Sequence, residues 1–232
     1  HHVLQNPALN FMSPTRAHVT VFAGRVQSLP VSGRPTAMYK TPITAPIELS
    51  ALGLAGDEQA DTKVHGGPDK ALHLFPSSHY ARLAVQFPQA SPLLVPGSIG
   101  ENLTTAQLDE HGVRIGDVWQ LGTAQIQVCQ PRNPCWKIDE RFAAEGMAQF
   151  IDKNMLTGWY WRVLKAGVVS PTDQLVLLEA NTAASSLYEA MRLWREHRPN
   201  LDQLAQLAET AGIAANWRNK IRQRITHLKE LV

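Results

Sequence analysis

The residues best suited to chemistry lie in one short segment, residues 130–137, with the sequence QPRNPCWK. Two prolines restrict the backbone here, so Cys135 is expected on a stiff loop. Arg132, Lys137 and the start of a following helix would each favour the thiolate form of Cys135. A thiolate binds soft metal ions or attacks electrophiles, whereas many free cysteines are only buried apolar residues. The loop therefore predicts Cys135 as a metal ligand or a nucleophile.

The second cysteine, Cys129, has different surroundings, because it falls in an apolar strand pattern with Ile126 and Val128. We interpret it as a small buried hydrophobic residue. Two cysteines are too few for the disulfide framework of a small secreted protein. Both thiols are therefore expected to be free, in a reducing compartment.

Three glycine-containing turns precede the cysteine loop. They are residues 53–57 (GLAGD), 65–70 (HGGPDK) and 100–103 (GENL). In the second turn, the backbone N–H groups of Gly66 and Gly67 can converge on an anion, and Lys70 can add a charge. His65 is a candidate ligand or base beside them. Taken singly, each turn is equally well explained as an ordinary structural turn.

Strands are the elements that must position these residues. Up to about residue 179, Gly and Pro separate short β-branched runs, which is typical of an irregular β-rich domain. Residues 118–128 are predicted to form two strands joined by a tight turn. Helices are predicted over residues 77–87, capped by Ser77 and ended by a proline, and over residues 141–151, capped by Asp139.

After residue 179 the pattern becomes helical, with no glycine before Gly212. Ser185 or Ser186 is expected to cap a first helix, and Asn200 a second one. Apolar residues recur at steps of three and four in a third helix; they are Ile213, Trp217, Ile221, Ile225 and Leu228. The sequence thus predicts a separate three-helix unit at the end of the chain.

These patterns predict three parts of the chain. Residues 1–16 are expected to be a remnant of an expression tag and a disordered N-terminus, with Met12 as the native start. Residues 17–180 are expected to form the β-rich domain, and residues 181–232 the helical unit.

Composition narrows the functional class. The chain has 232 residues, of which 44% are hydrophobic and 18% charged, as in ordinary globular proteins. A net charge of +2 does not favour nucleic acid or a membrane surface as partner of the whole chain. No signal pattern and no apolar run of about 18 residues occur. We therefore expect a cytoplasmic protein.

The motifs become more informative when their order along the chain is considered. The order is His-Gly-Gly (65–67), Gly-Glu-Asn-Leu (100–103), Gly-Asp (116–117), Pro-Arg-Asn-Pro-Cys (131–135) and Gly-Trp-Tyr-Trp-Arg-Val (158–163). In this order they resemble the YiiM-type branch of the MOSC family, which is similar to the C-terminal domain of molybdenum cofactor sulfurase. Five ordered motifs are far more specific than any one of them.

The resemblance implies a mainly β fold with α (α+β), in which a β-barrel-like MOSC domain precedes a three-helix unit. It implies a molybdenum cofactor (molybdopterin) bound through Cys135, reduction of N-hydroxylated compounds such as N-hydroxylaminopurines, and an association with pyridoxal phosphate binding. By this match and by the anion argument above, the candidate cofactor-binding residues are His65, Gly66, Gly67, Lys70, Glu101, Asn102, Arg132, Asn133 and Arg162. The arginines suit a pterin phosphate, which they can bind through paired charge-assisted hydrogen bonds.

The electrons for such a reduction must come from elsewhere. The sequence contains no multi-cysteine iron–sulfur pattern, no haem-attachment motif and no glycine-rich dinucleotide fingerprint. We therefore expect an external flavoprotein as electron donor. Arg218, Arg222 and Lys229 on the last helix are a candidate docking face for it.

Other interpretations stay open. Cys135 can be a nucleophile with His65 as its base, in a thiol hydrolase or sulfur-transfer protein without metal. Basic residues of the last helix can bind nucleic acid, although a solvated helix face is the expected role; they are Arg218, Lys220, Arg222, Arg224 and Lys229. Four aromatic residues can line a pocket for a flat ring or belong to the core; they are Trp136, Trp159, Tyr160 and Trp161.

Overall fold

The computed structural model describes residues 13–60 and 66–232. The strands of these residues are β1 (Arg16–His18), β2 (Thr20–Ala23), β3 (Gln27–Ser28), β4 (Pro35–Thr36), β5 (Thr41–Pro42), β6 (Ile47–Ser50), β7 (Gly53–Leu54), β8 (Leu72–Pro76), β9 (Leu103–Thr105), β10 (Val118–Leu121), β11 (Ala124–Pro131), β12 (Trp159–Lys165), β13 (Gly167–Val169) and β14 (Gln174–Glu179). The α-helices are α1 (Ser78–Gln86), α2 (Lys137–Phe142), α3 (Met147–Lys153), α4 (Leu187–Arg195), α5 (Leu201–Ala208) and α6 (Ala215–Glu230). Pro68–Lys70 and Pro88–Leu93 form short 3₁₀ helices.

Nine strands form the main sheet, in the order β1-β14-β10-β11-β12-β8-β9-β2-β5. Within this order β8 and β9 pair in parallel, and all the other neighbouring strands pair antiparallel. The predicted mainly β fold with α is confirmed, and so are the two strands joined by a tight turn, β10 and β11. Since β1 and β5 lie at opposite edges, the strands do not close into a barrel within the described residues.

Both faces of β12 are buried at its start, from Trp159 to Trp161. Trp159 and Trp161 point to the same side of β12, as alternation along a strand requires, and both are completely buried. Tyr160 points to the other side and is also mostly buried. Of the four aromatic residues considered above, Trp159 and Trp161 therefore belong to the core, whereas Trp136 is about half exposed.

The helices within the β-rich part were predicted with mixed success. Helix α1 spans the predicted residues and ends before Pro88, but the Ser77 side chain makes no capping hydrogen bond. The single helix predicted over residues 141–151 is wrong, because the backbone turns left-handed at Ala143 and Gly146 and divides it into α2 and α3. Asp139 lies inside α2, and its carboxylate caps the start of α3 by accepting hydrogen bonds from the backbone N–H groups of Gly146 and Ala148, at 2.9 and 2.7 Å.

Two of the last three helices begin as the sequence predicts, whereas α6 begins at Ala215, after Ile213. Ser186 accepts a hydrogen bond from the backbone of Glu189 at the start of α4, and Asn200 accepts one from Gln203 at the start of α5. The division into domains at residue 181 stays a prediction. The helices share a hydrophobic core with the sheet, in which Leu187, Leu204 and Ile221 join Leu72 and Trp159.

None of the helices that the structure describes is both long and apolar enough to cross a lipid bilayer.

Candidate active site

A cleft opens beyond the end of β11, where the predicted cysteine loop meets the edges of β4, β8 and β12. It has about 590 Å³ of space, part of it open to solvent. Its lining includes Thr36, Ala37, Met38, Lys40, Asp57, Glu58, Gln59, Ala60, Lys70, His73, Gly100, Asn102, Arg132, Cys135, Lys137 and Tyr160. Four of the predicted site residues are thus brought together: Lys70, Asn102, Arg132 and Cys135.

The cysteine loop is held at both ends. At its start, the backbone N–H of Arg132 donates to the carbonyl of Gly158, at 3.3 Å. At its end, the carbonyl of Cys135 accepts a hydrogen bond from Ile138 in α2 at 3.0 Å, and the Lys137 ammonium donates to the carbonyl of Pro35 at 2.6 Å. The Cys135 thiol is therefore fixed at the wall of the cleft while part of the residue remains accessible.

Arg132 is a charged residue that is buried in the lining of the cleft. It is only 7% exposed, and its Nη1 donates to the carbonyl of Ile99 at 3.2 Å. Its Nε, although buried, has no hydrogen-bond partner among the described residues. Buried N–H groups are almost always paired, and a guanidinium pairs best with a carboxylate or phosphate. Among the described residues, one buried donor of Arg132 is therefore left without a partner.

A buried carboxyl group lies behind Arg132. Glu101 is completely buried and accepts hydrogen bonds from the Tyr80 hydroxyl at 2.5 Å and from the backbone N–H of Gly97 at 2.6 Å. Burial raises the pKa of Glu101, and these two hydrogen bonds and the charge of Arg132 oppose the shift. Glu101 itself is not among the lining residues of the cleft, although its neighbours Gly100 and Asn102 are.

Asn102 connects three segments at the cleft floor. Its side-chain oxygen accepts a hydrogen bond from the backbone of His73 at 3.1 Å, and its amide nitrogen donates to Asp57 at 2.9 Å. Asp57 also forms a buried ion pair with Lys40, at 2.5 Å. These bonds occupy the Asn102 side chain, so it acts on the cleft mainly by positioning its neighbours.

Lys40 and His73 line the cleft but were not among the sequence candidates. Lys40 has no motif around it in the sequence. Its partner Asp57 belongs to the first glycine-containing turn. That turn is the sequence feature that could have indicated this ion pair. Tyr160 also lines the cleft, and burial raises its pKa while Arg132 lowers it.

The second glycine-containing turn reaches the cleft only through its last residue. Gly67 adopts φ 97°, a left-handed conformation that favours glycine, and precedes the 3₁₀ helix Pro68–Lys70. Gly66 and Gly67 are not among the lining residues, whereas the ammonium of Lys70 lies 5.6 Å from the centre of the Tyr160 ring. Burial, followed by repulsion from Lys220, lowers the pKa of Lys70. His65 lies outside the described residues.

Two predicted site residues lie elsewhere. Arg162 is not among the lining residues of the cleft: its guanidinium pairs with Asp69 at 2.9 Å and donates to the side chain of Gln127 and the carbonyl of Gly212, at 2.9 and 2.6 Å. It thereby joins β12 to the helical unit. Asn133 is exposed and lines two smaller grooves instead of the cleft.

Cys129 differs sharply from Cys135. It is completely buried, and its thiol donates to the carbonyl of Asp69 at 3.1 Å. Burial raises the pKa of Cys129 to about 12. Such a thiol stays protonated at neutral pH, as expected for a structural cysteine. The described residues include no cluster of three or more His, Cys, Asp or Glu side chains suited to a metal ion, so Cys135 is a single sulfur donor.

Comparison with known proteins identifies the family. The MOSC domain model matches residues 61–176. The chain is 38% identical over 210 residues to Protein YiiM of Escherichia coli (strain K12), covering 90% of this chain and 92% of that protein. The chain belongs to the MOSC domain family. Its fold agrees, since the crystal structure of YiiM from Escherichia coli matches with a TM-score of 0.77 and 30% identity, covering 92% of this chain and 94% of that one.

A further MOSC relative carries a functional name. A protein named reductase from Gibberella moniliformis is 33% identical over 191 residues, or 82% of this chain. The match spans only 34% of that longer protein.

Proposed function

We propose that this chain is a molybdenum-cofactor-dependent oxidoreductase that reduces N-hydroxylated compounds, such as N-hydroxylaminopurines, to amines. One observation carries the proposal: an accessible thiol, Cys135, shares a cleft with a buried arginine, Arg132, whose Nε has no partner among the described residues. Membership of the MOSC family and a relative named reductase support the same class of activity.

The side chains of the cleft fit a molybdenum cofactor. A thiolate is a suitable ligand for a soft metal centre, and Cys135 supplies it. The phosphate of a pterin cofactor needs cationic partners, and the lining offers Lys40, Lys70, Arg132 and Lys137. The described part of the lining has two carboxylates, Asp57 and Glu58, of which Asp57 pairs with Lys40. This part of the cleft therefore has an excess of positive charge, as an anionic cofactor requires.

The bound cofactor would supply a two-electron redox centre for removal of oxygen from the N–OH group. The net reaction converts an N–OH group, two electrons and two protons into an N–H group and water. Cys135 would hold the metal, Arg132 would orient the phosphate, and Glu101 would interact with the charge of Arg132 from the protein interior. The buried side chains of His73 and Tyr160 would limit the access of water to the reacting group.

Three other functions are pyridoxal phosphate binding, thiol hydrolysis and nucleic-acid binding. A pyridoxal phosphate site would use Lys70, but it gives no role to the thiol of Cys135, and we therefore assign the cleft to the molybdenum cofactor. A thiol hydrolase would need His65 as base, and His65 lies outside the described residues. A nucleic-acid site on α6 is disfavoured because Arg224 donates to the carbonyls of Trp194 and Glu196 instead of facing solvent.

Electrons would be supplied by a separate flavoprotein, in a cytoplasmic location. The proposed docking face on α6 comprises Arg218, Arg222 and Lys229. Arg222 already pairs with Glu209 at 2.6 Å, but both side chains are more than half exposed, so the pair can yield to an acidic partner. Such an encounter should weaken as the salt concentration rises.

The test is cofactor analysis followed by turnover. Protein purified from a host that makes molybdenum cofactor should contain molybdenum and pterin in equal amounts, close to one per chain. It should reduce 6-N-hydroxylaminopurine with a flavoprotein reductase but not with NADPH alone. Absence of molybdenum from active protein would overturn the cofactor assignment. Turnover with NADPH and no second protein would overturn the external donor.

A further inference from the structure

A buried carboxylate outside the cleft, that of Glu110, is bonded to both α1 and the start of β12. Glu110 belongs to the segment between β9 and β10 and is only 2% exposed. It is not among the lining residues of the cleft, and the cofactor site proposed above gives it no role. A carboxylate is costly to remove from water unless other groups donate hydrogen bonds to it. The partners of Glu110 therefore indicate what it does.

The first partner of the carboxylate is a histidine of α1. Nε2 of His79 lies 2.5 Å from one oxygen of Glu110 and 3.0 Å from the other. Because a carboxylate accepts hydrogen bonds, His79 donates from Nε2. The His79 ring also packs edge-on against Phe75, with 5.5 Å between the ring centres. The position of the carboxylate is thereby fixed against α1 and β8.

The backbone of Glu110 is held by the helical unit. Its carbonyl accepts a hydrogen bond from the backbone N–H of Tyr188 in α4, at 2.9 Å. The ring of the next residue, His111, stacks on the Tyr188 ring with 3.9 Å between the centres. Glu110 is thus attached on two sides and can act as a rigid support for a third group.

That third group is Gly158, the residue before β12. Its backbone N–H donates to the carboxylate of Glu110 at 3.3 Å. Gly158 adopts φ 64°, in the left-handed region, and a Cβ at this position would collide with the carbonyl oxygen of Leu74 in β8. The position therefore requires glycine, and the carboxylate holds a backbone turn that is packed directly on β8.

The carbonyl of Gly158 continues the connection to the cysteine loop. It accepts the hydrogen bond from the backbone N–H of Arg132, at 3.3 Å. Because two prolines stiffen the loop, a shift at its start would also move Cys135 at the wall of the cleft. Glu110, Gly158 and Arg132 therefore form a continuous series of hydrogen bonds from the interior to the cleft.

We propose that Glu110 is a positioning residue, which holds the cysteine loop through Gly158 where Arg132 and Cys135 face the cleft. The proposal deepens the proposed function and rests on it for the consequence for the cofactor. Groups that orient the ligands of a metal site typically change its affinity by about 10- to 100-fold. Loss of the Glu110 carboxylate should therefore reduce cofactor retention from outside the cleft.

Amide hydrogen exchange, followed by NMR on the full chain, measures how firmly the loop is held, without cofactor or turnover. Glu110→Ala removes the support. Glu110→Gln keeps an oxygen for Gly158, and His79 can accept from the new amide by changing its tautomer. Asp117→Ala is the matched control, because Asp117 is also buried and its carboxylate accepts hydrogen bonds from two backbone N–H groups, at 2.9 and 2.8 Å.

Glu110→Ala should accelerate exchange of the Arg132 amide by about tenfold, and Glu110→Gln should restore the rate to near that of wild type. Asp117→Ala should leave the Arg132 amide unchanged. If Glu110→Ala does not fold, Glu110→Asp, whose carboxylate is set back by one methylene group, takes its place. An Arg132 amide that exchanges equally in wild type and the folded Glu110 variant, or is accelerated equally by Asp117→Ala, would overturn the positioning role.

Pterin content, measured in parallel on protein from a host that makes the cofactor, separates this role from the proposed function. At a similar loss of unfolding free energy, Glu110→Ala should retain less pterin than Asp117→Ala. Wild-type protein without pterin would defeat the proposed function, whereas exchange of the Arg132 amide would still decide whether Glu110 holds the loop.

Discussion

Two regions of this molecule combine a cysteine with an arginine, and only one is arranged to receive a ligand. At the cleft, Cys135 is accessible and Arg132 has a buried N–H without a partner among the described residues. At the junction with the helical unit, Cys129 is completely buried and Arg162 is bonded to Asp69, a side-chain amide and a carbonyl. Under the proposed function, hydrogen-bond satisfaction, more than residue type, separates a binding arginine from a structural one.

The largest expected effect separates the two cysteines. Cys135→Ser should abolish molybdenum retention and N-hydroxylaminopurine reduction with the fold intact, because a hydroxyl is a harder and far less acidic donor than a thiol. Metal analysis and circular dichroism would measure both properties. Cys129→Ser, the matched control, should retain metal and activity. Equal molybdenum content in wild type and Cys135→Ser would remove the ligand assignment.

The next effect concerns the arginine of the cleft. Arg132→Gln should lower the affinity for the cofactor by about 10- to 100-fold, because a hydrogen bond to a charged group contributes about 1.5–3 kcal/mol. Pterin retained after gel filtration would measure the loss. Arg132→Lys keeps the charge but not the planar donor pair, so we expect an intermediate result. Full retention by Arg132→Gln would show that Arg132 does not bind the cofactor.

The corresponding change at the junction should affect stability instead. Arg162→Gln leaves the Asp69 carboxylate and the carbonyl of Gly212 without their partner. Since both side chains of the ion pair are partly exposed, we expect a loss near the lower end of the usual range, about 1.5 kcal/mol in the free energy of unfolding. Urea denaturation would measure it. A stable Arg162→Gln protein that had lost its cofactor would place Arg162 in the binding site after all.

The smallest effect is a pH dependence at Glu101. Its pKa is raised in the folded protein, so the neutral carboxyl contributes stability that is fully present below its unfolded pKa of about 4.3. That contribution is lost as the pH rises through the folded-state pKa, by at most about 1.4 kcal/mol per pH unit.

Glu101→Gln cannot ionise and preserves an oxygen for Tyr80 and Gly97. In a series of urea denaturations between about pH 4 and pH 8, the variant should therefore lose less stability than wild type. Glu230→Gln, exposed on α6, provides the control. Parallel pH profiles for wild type and Glu101→Gln would contradict the raised pKa.

The sequence predicted local features of this fold better than distant contacts. The caps at Ser186 and Asn200, the β10–β11 turn and the stiff loop around Cys135 depend on a few adjacent residues, and adjacent residues are visible in the sequence. The capping of α3 by Asp139 was misassigned because its partners lie across a left-handed turn at Ala143.

The site residues also divide into those set by adjacent residues and those set by distant contacts. The cysteine loop reached the cleft as expected, because its motif is contiguous. Lys40 and His73 could not be predicted, since they join the cleft only through bonds to residues far along the chain, such as Asp57 and Asn102. Arg162 occurs in a family motif, but only the fold reveals that Asp69 and the helical unit already bind it.

The pairing of β1 with β14 has a consequence for folding during synthesis on the ribosome. Arg16 lies opposite Val176, so β1 cannot pair with its neighbour until β14, the last strand of the sheet, has been synthesised. Contacts this distant in sequence slow folding, because a long chain segment must be ordered before they form. The main sheet therefore cannot be completed until β14 has emerged from the ribosome.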